Sequence, residues 1–177
     1  LAIRDAVMSR GLGDVYKRQD LSKPITLSAY GEYTKKAGFY ELANGQLKEL
    51  VYEDAAFSNP VKAAKADKYL FTRQTFVEYP DLRVSGPGFT DAKKISDANP
   101  QQAEYVMGRS ELIEYVNADG KKLRAMLTKP ENFDPGKKYP LMVYIYEELT
   151  QGLHSYGAPN VGTSINIPRY VSNGYVV

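Results

Sequence analysis

The sequence YPLMVYIYEELTQGLHSYGAPN, from Tyr139 to Asn160, gathers several side chains able to do chemistry. Tyr146 ends an apolar run, the adjacent carboxylates Glu147 and Glu148 follow it, and His154 is the only histidine of the 177 residues. The plain reading of the carboxylates is a solvated loop or a local ion pair with Lys137 or Lys138. A lone histidine with no clustered Asp or Glu orients a loop or lines a pocket; it does not form a metal centre. Ser164 and Ser172 have no base near them in sequence, so neither reads as a nucleophile. On residue type alone, Tyr146 is one packed aromatic among fifteen tyrosines.

The elements around these residues decide how they are presented. Leu141 to Tyr146 shows almost no apolar/polar alternation, which predicts a strand buried on both faces of a mixed or parallel sheet. The loop after a central strand of an open α/β sheet is where ligands and catalytic groups collect. Downstream, Ile167 to Asn173 predicts a short helix, with Asn166 or its neighbour as cap, Pro168 in its first turn and Gly174 in the left-handed terminal position. Tyr175-Val176-Val177 reads as the opening of another buried strand. Upstream, ELIEYV (111–116) and LRAMLTK (123–129) flank the turn Asn117-Ala118-Asp119-Gly120 and predict an antiparallel hairpin, followed by a polar surface loop over 130–138. Strand, strand, strand, helix, strand is the opening of an α/β domain.

Earlier in the chain, short strands alternate with turn residues. Ile25 to Gly31 predicts one strand, and Gly38 to Glu53 a hairpin turning at Asn44-Gly45, a pair suited to the positive φ of a type I′ turn. Tyr69 to Arg73 and Leu82 to Ser85 predict two more, the latter closed by Gly86-Pro87-Gly88. Strands at this spacing suggest the blades of a propeller.

Composition narrows the function classes. Apolar content of 43% and charged content of 25% are ordinary for a globular protein, and no apolar run reaches the roughly 20 residues of a spanning helix. The formal charge of +2 comes from the first nineteen residues, where Arg4, Arg10, Lys17 and Arg18 outnumber Asp5 and Asp14. The remainder is balanced, with no basic stripe for a nucleic acid. Without cysteine there is no disulfide framework, thiolate zinc site or cysteine nucleophile. No cofactor is implied.

Residues 1–19 show neither a helical nor a strand period. Asp14 to Gln19 back-translates to GATGTGTATAAGAGACAG, the end of a transposon adapter used in sequencing libraries. These residues are read as a translated adapter artefact, with native sequence starting near Leu21.

The run DANPQQAEYVMGRSELIEYVNADGKKLRAMLTKPEN (97–132) resembles the junction between propeller and hydrolase in the prolyl oligopeptidase family of serine peptidases. The resemblance continues through the Y-P strand at Tyr139 to Tyr146 and through INIPRYVSNGYVV, and extends loosely back to Leu21. It implies the last β-propeller strands and junction over 20–107, then the start of an α/β-hydrolase domain over 108–177, both incomplete. It implies a peptidase acting by Ser-His-Asp acyl transfer on peptide substrates. The family nucleophile sits in a G-x-S-x-G elbow, followed in the chain by Asp and then His. That motif is absent and His154 comes too early, so the triad lies outside this chain and the fragment itself is expected to be inactive. By position in Y-P-L-x-x-x-x-Y, Tyr146 matches a tyrosine that donates its hydroxyl to the oxyanion in relatives.

The turn after this strand departs from the glycine-rich form of many relatives, and Glu147-Glu148-Leu149 stands there instead. A glutamate pair that reads the substrate ammonium in dipeptidyl relatives sits on the propeller, which argues against that role for Glu147 and Glu148. A periplasmic or secreted location fits the resemblance. A non-catalytic sheet module that binds peptide or carbohydrate, and a dead hydrolase homologue, are the rival readings. Incomplete sheets with open edges also predict aggregation or partial disorder of the isolated chain.

Overall fold

A computed structural model describes residues 23–162 and 164–177. The stretch read as an adapter lies outside the described residues. The chain is mostly β-sheet with little helix, and it divides into two compact units. Among the described residues, those from 23 to 73 together with Asp81–Ser96 form the first, and Gln74–Pro80 with those from 97 onward form the second.

In the first unit, β1 (Ile25–Tyr30), β2 (Ala37–Ala43) and β3 (Gln46–Glu53) form an antiparallel sheet in the order β1-β2-β3. The β2–β3 turn has Asn44 at φ 52° and Gly45 at φ 74°, so the positive φ expected of this pair at both positions is present. The register shifts between Phe39 and Tyr40. Just before the shift, a Cβ on Gly38 would lie 1.8 Å from the Val51 carbonyl oxygen, so only glycine lets the strands approach there. A second sheet contains β4 (Ala56–Phe57), β5 (Val61–Lys62), β6 (Tyr69–Gln74), β7 (Asp81–Ser85) and β8 (Lys93–Lys94). Its order is β4-β6-β7-β8, with β5 also on β6.

Phe39, Phe71 and Phe89 make the buried core of this unit. The Phe39 ring meets Phe71 edge-on at 5.6 Å and Phe89 at 4.5 Å, contacts worth about 0.5–1.5 kcal/mol each beyond the area they bury. Phe89 reaches the core from a left-handed backbone conformation, φ 57°. That strain is offset by burial of the ring. In the adjoining turn, hydrogen bonds from Ser85 Oγ and the Gly86 amide to Asp91 lower the pKa of this carboxyl to about 2.

The second unit is built on β9 (Arg109–Val116) and β10 (Lys122–Lys129), antiparallel and in register from Lys122–Val116 to Lys129–Arg109. Asn117 Oδ1 accepts from the amides of Asp119 and Lys121, and Gly120 takes φ 76°, closing the expected turn. Thr128 and Val177 exchange both backbone hydrogen bonds, at 2.8 and 3.0 Å, the mark of an antiparallel pair. Val176 in turn bridges Leu141 in the parallel sense. The spatial order is therefore β9, β10, the 175–177 segment, then the Leu141 segment. The last segment in sequence is inserted between two earlier ones.

The connection between Leu141 and Val176 carries α1 (Ile167–Ser172). Asn166 Oδ1 accepts from the Arg169 amide at 3.2 Å, Pro168 sits in the first turn, and Gly174 has φ 80°. Helix, cap and terminator are as the sequence predicts. Val171 of α1 is buried, and a Cβ on Gly108 would lie 2.6 Å from its Cγ1 and 2.4 Å from the Lys129 carbonyl. Gly108 thus lets the start of β9 pass close beneath the helix.

Candidate functional site

The segment 139–146 is anchored at its start and free at its end. Phe133 stacks on Tyr139 at 4.9 Å, Lys129 Nζ lies 4.9 Å above the Phe133 ring, and the Tyr139 hydroxyl accepts from the Asp134 amide at 2.8 Å. The Val176 amide donates to the Pro140 carbonyl, and the Met142 amide to the Val176 carbonyl at 2.9 Å. Beyond Met142 the pairing stops.

Here the structure corrects the sequence reading. Leu141 to Tyr146 is not a strand buried on both faces: Val143 is 64% exposed, Ile145 82% and Tyr146 70%. A strand is buried on both faces only when neighbours pair with it and layers cover it. Among the described residues, Val176 is the one strand neighbour this segment finds. The apolar run records what the segment is suited to contact, and most of that contact is not made here.

Tyr146 lines a groove of about 650 Å³. Its floor is the apolar face of the hairpin, with Ile113, Ala125 and Leu127, and Val143 and Ile167 close its sides. Glu147 and Glu148 also line it, so the structure brings both residues to the same groove as Tyr146. Glu148 accepts a hydrogen bond from Gln151 Nε2 at 3.3 Å. Of the two plain readings of the carboxylates, the solvated loop is the one seen: both are exposed, and Lys137 lies 3.8 Å from Asp134. His154 is half-buried and does not line the groove. Ser172 Oγ donates to the Arg169 carbonyl as part of the helix end, and Ser164 is an exposed loop residue. Among the described residues, no cluster of three or more His, Asp or Glu could hold a metal ion.

Sequence reasoning missed the anchor of the loop behind this site. The Tyr156 amide donates to Gln74 Oε1 at 3.0 Å, its hydroxyl accepts from Asn99 Nδ2 at 2.9 Å, and its ring meets Tyr79 edge-on at 5.2 Å. Burial, partly countered by the Asn99 hydrogen bond, raises the pKa of the Tyr156 phenol, which keeps it neutral. Next to it, the Gly157 amide donates to the Phe76 carbonyl, and a Cβ on Gly157 would lie 2.7 Å from the Phe76 ring. Gln74 is 82 residues from Tyr156, so no local pattern could have shown the pairing.

No family model matches the chain. A curated relative from Ajellomyces capsulatus, named "Probable dipeptidyl-aminopeptidase B", is 46% identical over 37 residues, which is 21% of this chain and 4% of the relative. In fold, the chain is similar to the AtxE2 isopeptidase, with a TM-score of 0.67 at 12% identity over 89% of this chain and 24% of that one. It is also similar to Porphyromonas gingivalis dipeptidyl peptidase 4, with a TM-score of 0.63 at 19% identity over 89% of this chain and 22% of that one. The chain thus spans less than a quarter of the solved structures it resembles and a small part of the curated relative. The chain is thus similar over short stretches to a relative named as a dipeptidyl-aminopeptidase, and in fold to parts of two solved peptidase structures.

Proposed function

We propose that this chain is part of a serine peptidase, with propeller strands and junction over 20–107 and the opening of an α/β-hydrolase domain over 108–177. The observation that carries this reading is the strand order of the second unit. The 175–177 segment is inserted between β10 and the Leu141 segment, antiparallel to the first and parallel to the second. Such a crossover is the unit from which open α/β sheets are built, and their ligands bind beyond the carboxyl ends of the parallel strands. Tyr146 stands at the carboxyl end of the Leu141 segment, lines the groove and is largely exposed.

In this reading the substrate is a peptide and the reaction is acyl transfer to a serine and then to water. The nucleophile, base and orienting acid come from outside this chain. Tyr146 contributes a neutral hydroxyl that donates to the oxyanion of the tetrahedral intermediate, beside the backbone amide that follows the nucleophile. A donor aimed at charge that develops only in the transition state acts on kcat rather than on substrate affinity.

The test is kinetic. In the full-length protein that carries this chain, Tyr146→Phe is expected to lower kcat by about 100-fold with KM little changed, and a fluorophosphonate probe is expected to label one serine. Unchanged kcat would remove Tyr146 from the mechanism. Failure of labelling would favour the dead homologue.

A further inference from the structure

We propose that Tyr156 is a positioning residue: with Asn99 and Gln74 it fixes the loop that follows Tyr146, and so sets where the Tyr146 hydroxyl stands. The consequence for catalysis rests on the peptidase reading; the geometry does not.

Tyr146 is 70% exposed, and among the described residues its hydroxyl makes no hydrogen bond. A side chain in that situation takes its position from the backbone that carries it. That backbone is held on one side by the exchange between Pro140–Met142 and Val176. On the other side it passes through Glu147 and Glu148, the latter accepting from the nearby Gln151, into a 3-10 turn at Thr150–Gly152, and is then buried at Leu153. Leu153 alone is an apolar contact and leaves the loop free to rotate about it. Direction comes from the next residues. Tyr156 is held through its amide by Gln74, through its hydroxyl by Asn99 and through its ring by Tyr79, and the Gly157 amide is held by the Phe76 carbonyl.

The partners come from two separate stretches, 74–79 and Asn99, so the loop is fixed at more than one point and cannot pivot. Thr150, inside the segment so held, lines the same groove as Tyr146. A single conservative change removes the phenol hydroxyl from this anchor. Tyr156→Phe keeps the ring on Tyr79 and deletes the hydrogen bond from Asn99.

The experiment combines hydrogen exchange with a double-variant cycle in the full-length protein. Tyr156→Phe is expected to speed amide exchange over residues 147–157 by about threefold to tenfold, the loss of one net hydrogen bond, while β9 and β10 keep their protection. It is also expected to lower kcat by a similar factor with KM unchanged, and to cause no further loss when Tyr146 is already Phe. Three results would overturn the proposal: loop exchange unaltered, hairpin exchange rising with that of the loop, or multiplied losses in the double variant. Should Tyr146→Phe alone leave kcat intact, the peptidase role of Tyr146 fails, and the loop exchange by itself decides whether Tyr156 positions the segment.

Discussion

Phe39 of the first unit is 1% exposed and Ile145 of the second is 82% exposed, although both sit in apolar runs that read as strands. The difference lies in what each run meets. Phe39 is on the middle strand of a three-stranded sheet and faces Phe71 of a second sheet and Phe89 of the turn between β7 and β8, so the ring is covered. Ile145 belongs to a segment that has left its neighbour Val176 three residues earlier. An apolar sequence is stabilised only by the surface that covers it. The first unit spends its aromatic residues on a core, whereas the second displays several of them around a groove.

This contrast can be broken by substitution. The largest effect is expected from Phe39→Ala, which removes the ring at the centre of the aromatic cluster. It is expected to cost about 3–5 kcal/mol in the opening free energy of β1–β3 measured by native-state hydrogen exchange. A loss below about 1 kcal/mol would mean that the cluster does not behave as a packed core.

An intermediate effect is expected at the α1 cap. Asn166→Ala leaves the Arg169 amide without its acceptor and is expected to destabilise the helix by about 1 kcal/mol. Exchange of the α1 amides and the transfer of the loss to the 175–177 segment would measure it.

The smallest effect on stability is expected from Ile145→Lys, within about 0.5 kcal/mol because the side chain is already in solvent. The same change places a charge on an open apolar edge and is expected to lower self-association of the chain in sedimentation. Destabilisation as large as that of Phe39→Ala would show that Ile145 is packed, and the contrast between the two regions would collapse.

The parts of the fold legible in the sequence were those fixed by local chemistry. Asn44-Gly45, Asn117 with Gly120, and Asn166 with Pro168 and Gly174 each satisfy backbone groups or supply positive φ within a few residues. Turn, hairpin and helix end therefore follow from neighbouring residue types. The site was legible only in part. Its location after the Y-P strand could be read from the order of elements, and so could the candidacy of Tyr146. The exposure of that strand and the anchoring of Tyr156 could not. Each depends on what another, distant segment supplies.

The sequence by itself determined where the chain turns, which stretches extend, and that Tyr146 follows a run of apolar residues, because these depend on torsional preference and hydrophobic period over a few residues. Only the tertiary structure decided that Val176 lies between Thr128 and Leu141, that the apolar run opens a groove rather than filling a core, and that Gln74 and Asn99 hold the loop behind it. Those outcomes depend on hydrogen-bond partners and covering surfaces brought together from residues far apart in the chain, and no local pattern encodes them.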